Sequence, residues 1–392
     1  MARLRARSAG KRAASRRGAL LMAPPQPRVL MTADAVGGVW TYALDLARGL
    51  TTAGASVTLV AFGPSPRPDQ IGQANSVEGL SFVDTGMPLD WMAAEPAEIL
   101  ECSAVVRGLA RASRADIIHL NSPALAALGG FSAPVVGACH SCLATWWAAV
   151  REGLMPADFR WRTQTLWQGL LACNALVAPS RAFAEATARA YELPAPFAVH
   201  NGRRATSVAP QPCEPMVFTS GRLWDAGKNV VALDRAAADI SVPLFAAGPL
   251  VGPNGEQVTL CQAQSLGRLT SDEIAAWLSR APIFASAALY EPFGLGVLEA
   301  AQAGCALVLS DIPTFRELWD GAAVFVDPRD SAGFARAIED LLADPAQAAP
   351  LGAQARARAG RYTVEAMCAG VLDIYRHLAP ERFAAPLQEV AA

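Results

Sequence analysis

The start of this 392-residue chain has no long apolar run. Ala19 to Ala23 is apolar but stops at Pro24-Pro25, short of the about 7 to 15 residues of a signal core and the about 20 of a membrane span. The pair Arg16-Arg17 before it therefore does not read as an export signal, and a cytoplasmic location is expected. Cysteine is scarce as well. Eight residues are too few for a disulfide framework and suit a reducing compartment. Cys139-His140-Ser141-Cys142 looks like half of a zinc site, but no second Cys or His pair follows at zinc spacing, so buried thiols are expected there and no metal. Gly-x-Gly-x-x-Gly is absent too, which removes the usual dinucleotide fingerprint.

Charge is sparse, at 17% of residues, and uneven. The net charge of −2 conceals seven basic residues and no acidic one among the first 17, from Arg3 to Arg17. The remainder carries 26 basic against 35 acidic residues, or −9. No nucleic-acid partner is expected of such a body, because a phosphate-tracking basic face is missing. The tail has two readings. It brings the protein weakly to anionic headgroups at the inner face of a membrane, or it is a solvated extension ahead of a later start at Met22 or Met31.

Apolar residues are plentiful, at 52%, and 392 residues suit two domains better than one core. Arg28 to Thr32 reads as a buried strand, followed by a loop ending in Gly37-Gly38. Val39, Ala43, Leu46 and Leu50 then recur at helical spacing up to Gly54, and Ser56 to Phe62 is a second strand. Further strands at 117–120, 134–139 and 175–178 alternate with helical segments, which favours a parallel sheet. Three prolines between Ala209 and Pro215 mark an interdomain linker. Beyond it the alternation restarts with strands at 216–219, 244–247, 283–286, 306–309 and 323–326, so a second Rossmann-like domain is expected. The last helix, 364–378, is expected to cross back to the first domain. The resulting division is a basic tail over 1–27, a first domain over 28–208, a second over 209–362 and a return segment over 363–392.

The richest segment for chemistry is Glu291-Pro292-Phe293-Gly294-Leu295-Gly296 with Glu299, just after a buried strand. Strand, glycine loop and helix together offer backbone N–H groups and a positive helix end to an anion. Glu291 in the loop and Glu299 in the helix can both accept hydrogen bonds from vicinal hydroxyls of one ligand. A second loop at a strand end carries Arg222 and Lys228, two cations able to neutralise a diphosphate and the charge that grows on it as it leaves. Gly37 and Gly38 open a helix after the first strand and read equally as a tight turn. His140 and His119 are each placed at a strand end, where a histidine is as often structural as functional. Trp146, Trp147, Trp161 and Trp167, among Arg151, Arg160 and Arg162, stand at helical spacing, which favours core packing over an acceptor- or membrane-facing surface.

These segments together resemble the fourth family of glycosyltransferases, retaining enzymes of GT-B fold, over roughly residues 28 to 378. Glu291 and Glu299 match its pair of glutamates, Arg222 and Lys228 its diphosphate-binding cations, and Gly37-Gly38, His140, Ala178-Pro179-Ser180 and Asn201-Gly202 further motifs. The resemblance implies an α/β protein of two Rossmann-like domains whose parallel sheets face each other across a cleft. It implies a UDP- or GDP-sugar donor, no cofactor, no metal, and a carbohydrate, lipid-linked or small-molecule acceptor; no Asp-x-Asp triplet is present. Glu299 would hold the ribose, Arg222 and Lys228 the diphosphate, and Glu291 with the amides of Phe293, Gly294 and Leu295 the donor sugar. Gly37 and Gly38 would line the donor site, and His140 would approach the reacting sugar from the other domain. Two departures stand out: Arg203-Arg204 replaces a small residue and aspartate, and Asp311 to Phe315 replaces a glycine pair before Glu317. Both are expected near hinge, donor or acceptor contacts. A nucleotide-sugar epimerase and a non-catalytic nucleotide-sugar sensor are the competing classes.

Overall fold

The structure, a computed structural model, describes residues 26–205 and 211–383. The basic tail through 25 and the linker residues up to 210 lie outside it. Seven parallel strands form the first sheet: β1 (Arg28–Asp34), β2 (Ser56–Phe62), β3 (Leu80–Asp84), β4 (Ile117–Leu120), β5 (Val135–Ala138), β6 (Ala175–Ala178) and β7 (Phe197–Ala198), in the order β3-β2-β1-β4-β5-β6-β7. The second sheet has six: β8 (Val217–Ser220), β9 (Leu244–Ala247), β10 (Gln264–Gly267), β11 (Ile283–Ser286), β12 (Ala306–Ser310) and β13 (Val324–Val326), in the order β10-β9-β8-β11-β12-β13. Central strands such as β1 and β12 are apolar and buried along most of their length, as parallel strands covered by helices on both faces must be.

The sequence reading misses β3, β7 and β10. All three lie at or beside a sheet edge, and β10 is the polar run Gln-Ser-Leu-Gly. A strand covered on one side needs no continuous apolar run, so periodicity carries little signal there.

In each sheet the strand order reverses between the first strand of the unit and the strand beside it, β1 against β4 and β8 against β11. A crevice opens at such a reversal outside the carboxyl ends of the strands, because the helices that follow leave on opposite faces. The two crevices face each other. The helix Val364–Leu378 returns to the first domain, where Met367, Cys368, Val371 and Tyr375 share a core with Val29, Leu46 and Leu50. Two glycines permit this return. A Cβ on Gly49 would stand 2.9 Å from the Cys368 side chain, and one on Gly202 would stand 2.0 Å from the Thr363 carbonyl oxygen.

Candidate active site

All the expected donor-side residues line one cavity of about 380 Å3 between the domains. Gly37, Gly38 and His140 come from the first domain, and Arg222, Lys228 and Glu291 face them from the second. Phe293, Gly294, Leu295 and Glu299 complete the wall. Gly294 takes φ +92° and caps the helix Leu295–Ala303, a left-handed turn that glycine adopts without a Cβ penalty. The first amides of that helix have no partners within it and open toward the cavity. Gly296 lets the helix start close to β8, since a Cβ there would stand 3.0 Å from Ser220 Oγ.

The two cations are held in place before any ligand arrives. Lys228 Nζ is ion-paired with Glu291 Oε2, and their loops are joined because the amides of Leu289 and Tyr290 both donate to the Gly227 carbonyl, at 2.9 and 3.1 Å. Arg222 donates from Nη2 to Asp225 Oδ2 at 3.0 Å and lies over the Trp224 ring at 5.6 Å. Asp225 in turn accepts from the Gly227 amide at 2.8 Å and from Trp146 Nε1 of the other domain at 3.0 Å. Gly37 and Gly38 touch the opposite wall: a Cβ on the first would meet Arg222 at 3.6 Å and on the second Leu295 at 3.1 Å.

The two histidines separate clearly. His140, two residues beyond β5, reaches Asn121 Oδ1 through Nε2 at 2.8 Å. Asn121 Nδ2 donates to the Thr32 carbonyl at 2.6 Å, so Oδ1 is the acceptor, Nε2 carries the proton and Nδ1 keeps its lone pair. Burial pushes the His140 pKa down to about 4, so the ring is neutral at pH 7. His119 lies inside β4 with no exposed surface. Its ring bonds Tyr375 Oη at 2.8 Å and Tyr42 Oη at 3.5 Å, which ties the return helix to the first sheet.

The departures at Arg203 and Asp311 also resolve. Arg203 donates to Glu299 at 2.7 Å and to Asp45 at 3.0 Å; burial opposes its charge, but the two carboxylates outweigh that and hold its pKa above the usual value. Asp311 does not face the cavity: it forms an exposed pair with Arg316. Glu317 beyond it bridges the domains, accepting from the Arg181 and Ala182 amides at 2.9 and 2.6 Å and bonding His200 Nε2 at 3.0 Å. Burial works against this carboxylate, yet His200 and the two amides leave its pKa below the usual range. Ser180 adds a second bridge, donating to the Pro292 carbonyl at 2.7 Å.

A second cavity of about 790 Å3 adjoins the first, and Asp34, His140 and Arg222 line both. Core packing of the tryptophans holds in part for Trp161, which is half-buried against a core cluster. It fails for Trp146 and Trp147, which line this second cavity, and for Trp167, which is 41% exposed. The reason is a bend: the helix Leu143–Val150 ends before Ala157–Ala172 begins, so the four rings do not share one helical face. Cys142 accepts from the Thr145 amide at 3.4 Å and caps the first of these helices, and Cys139 is buried. Among the described residues no group of three or more His, Cys, Asp or Glu is placed to hold a metal, and no helix is long and apolar enough to cross a membrane. Sequence reasoning missed the roles of Asp34, Asp90 and Asp45, lone carboxylates outside any motif, and of Asp225 within the Arg222 to Lys228 loop. Only the nearness of Asp34, Asp90 and Asp225 to strand or loop ends could have drawn notice, whereas Asp45 lies in the middle of the helix Gly38–Thr52.

Two family models match this chain in succession, Glycosyltransferase Family 4 over residues 36–204 and Glycosyl transferases group 1 over residues 214–344. The α-maltose-1-phosphate synthase of Mycobacterium tuberculosis is 28% identical over 313 residues, 68% of this chain and 80% of that protein. The glycogen synthase of the same organism is 44% identical over 98 residues, 24% of this chain; the match spans about a fifth of its length, 22%. Among solved structures, sucrose-phosphate synthase from Thermosynechococcus elongatus superposes with a TM-score of 0.74 at 20% identity, covering 90% of this chain and 99% of that one. Anabaena HepE, solved with UDP and glucose, gives 0.68 at 16%, covering 90% and 100%. With both domains matched in order and the GT-B architecture shared with these neighbours, the chain belongs to glycosyltransferase family 4.

Proposed function

We propose that this protein is a retaining glycosyltransferase that moves a sugar from a nucleotide-diphosphate donor, UDP- or GDP-linked, onto an acceptor hydroxyl. One observation carries the reading. The paired glutamates, the two loop cations and the first-domain glycines and histidine, distant in sequence, line a single cavity where both strand-order reversals face each other. The names of the relatives and the UDP and glucose in HepE put glucosyl donors first in any trial.

In this reading Glu299 accepts hydrogen bonds from the ribose hydroxyls. The diphosphate lies at the start of the helix Leu295–Ala303, between Arg222 and Lys228. Glu291 and the amides of Phe293 to Leu295 hold the donor sugar, and His140 meets it from the other domain. The bond from the anomeric carbon to the diphosphate oxygen breaks, and the nucleotide diphosphate leaves with the electron pair. The acceptor oxygen bonds to the anomeric carbon from the same face, and its proton passes to the departing phosphate oxygen. Arg222 and Lys228 stabilise the growing charge, and the closed cleft excludes water. The protein needs no cofactor in this scheme and acts in the cytoplasm. An epimerase would need no acceptor, and the 790 Å3 cavity beside the donor site favours transfer.

The test is a panel of UDP-, GDP- and ADP-sugars, with binding read by thermal shift and nucleotide release read with candidate acceptors. Acceptor-dependent release, with binding lost in Glu299→Ala, is the expected result. Conversion of donor alone into a second nucleotide sugar would show an epimerase, and binding without any turnover would show a sensor.

A further inference from the structure

The cavity beside the donor site has a wall chemistry that restricts what it accepts. Four indole rings line it: Trp91, Trp146, Trp147 and Trp224. None is fully buried, so ring surface is left open to a ligand. Besides Asp158, Asp225 and Glu256, the lining carries two further carboxylates, Asp34 at the end of β1 and Asp90 on the loop after β3. Neither forms a salt bridge among the described residues. Asp34 accepts the Val36 amide at 3.0 Å, with the Gly37 amide and the Arg222 charge also close to it. Burial holds both carboxyls above the usual range, and the charge of Asp34 adds to the effect at Asp90. Ser122 on the same wall has a buried hydroxyl that stands close to the Asp90 carboxyl. Of the three arginines on the lining, Arg162 pairs with Asp158 and the Ala93 carbonyl, Arg222 pairs with Asp225 and faces Asp34, and Arg151 lies over the Trp146 ring.

We propose that this chamber takes a neutral saccharide as acceptor, with its ring against the indoles and its hydroxyls on Asp34, Asp90 and Ser122. The chemistry of each candidate decides between them. A sugar ring presents C–H groups on its faces, which suit the electron-rich face of an indole, and hydroxyls on its edge, which donate to carboxylates. A phosphorylated sugar brings a dianion next to two unpaired carboxylates. A lipid tail leaves both carboxylates desolvated without partners, which is costly. Asp34 is common to the chamber and the donor cavity, so the hydroxyl bound there is the one that reaches the anomeric carbon.

This inference rests on the glycosyl-transfer reading, and the experiment separates their failures. With a sugar nucleotide that the enzyme binds, nucleotide release is measured with neutral sugars (glucose, mannose, galactose, N-acetylglucosamine, maltose and trehalose) and with glucose 1-phosphate, mannose 1-phosphate and undecaprenyl phosphate in micelles. At least one neutral sugar is expected to raise release tenfold or more over hydrolysis and to exceed every phosphorylated acceptor tenfold in kcat/KM. Asp90→Asn is expected to raise KM for that sugar more than it lowers kcat, and to narrow the preference over the sugar phosphate. Trp147→Ala gives a second reading on KM should Asp90→Asn fail to fold. Preference for a phosphorylated acceptor overturns the proposal, as does release unaffected by every neutral sugar while the donor still binds. Absence of any sugar-nucleotide binding instead sinks the reading beneath it.

Discussion

Arg203 and Glu299 are joined across the hinge, Nε to Oε1 at 2.7 Å, and the same guanidinium bonds Asp45 Oδ2 at 3.0 Å. One side chain from the interdomain segment therefore connects the helix Gly38–Thr52 of the first domain to the glutamate that the donor reading places on the ribose. Asp45 is 1% exposed and keeps Arg48 at 3.2 Å as its other partner.

Arg203→Ala is expected to reduce stability by about 2 kcal/mol, below the full cost of orphaning a buried charge because Arg48 remains. It should also weaken sugar-nucleotide binding, since Glu299 loses the contact that orients it. Arg203→Lys should not restore binding, because one ammonium cannot reproduce a planar fork spanning two carboxylates. Urea unfolding and titration calorimetry measure the two effects. Unchanged donor affinity in Arg203→Ala would show that Glu299 is oriented by its helix alone.

Arg222→Ala and Lys228→Ala are each expected to lower kcat on the order of 10²- to 10³-fold, the usual loss for removing one stabiliser of developing charge. The folded state should change little for Arg222, which is near the surface of the cleft. Single-turnover nucleotide release measures this, and full turnover in Arg222→Ala would remove it from the mechanism.

His119 makes stability depend on pH. Folding holds its pKa at about 3 through burial, against 6.5 for the free side chain. Above pH 6.5 neither state binds the proton and the contribution is fully present. Between about pH 6.5 and 3 the unfolded chain takes up a proton that the folded chain refuses, so stability falls as pH falls. His119→Gln should be less stable than the parent at pH 8 but lose less on going to pH 5. Urea midpoints at both pH values give the comparison, and the raised carboxyls of Asp34 and Asp90 are common to both proteins. Equal losses would mean that the buried ring protonates within the folded protein.

Gly202→Ala should unseat the start of the return helix, because the new methyl cannot stand 2.0 Å from the Thr363 carbonyl. A loss of about 1–3 kcal/mol is expected from such overpacking, with faster hydrogen exchange over 364–378. Gly72→Ala, where a Cβ meets nothing within 4 Å, serves as control. Equal exchange in the two variants would show that the helix N-terminus yields without cost.

Glu317→Gln should loosen the domain contact at the helix Arg181–Tyr191, since a neutral amide binds its two N-terminal amides and His200 less strongly than a carboxylate. Small-angle scattering should report a larger radius of gyration in the ligand-free variant. An unchanged radius would leave Ser180 and Asp225 as the contacts that keep the cleft closed.

The sequence by itself determined the two-domain parallel architecture and singled out residues that line the cavity between the domains. Buried strands such as β1, β2, β9 and β11 are apolar runs between turn signals, and Glu291 to Glu299 and Arg222 to Lys228 form local strand-loop-helix motifs whose geometry is set within a dozen residues. Of the four edge strands, β3, β7 and β10 left no such trace, and only the apolar β13 did. Only the tertiary structure decided what single residues do. Arg203 meets Asp45 and Glu299 across 158 and 96 positions, Trp146 meets Asp225 across 79, and Asp34 becomes the seam between two cavities. A lone charge or ring takes its role from the partner the fold brings to it, and partners so far apart along the chain leave no periodicity to read.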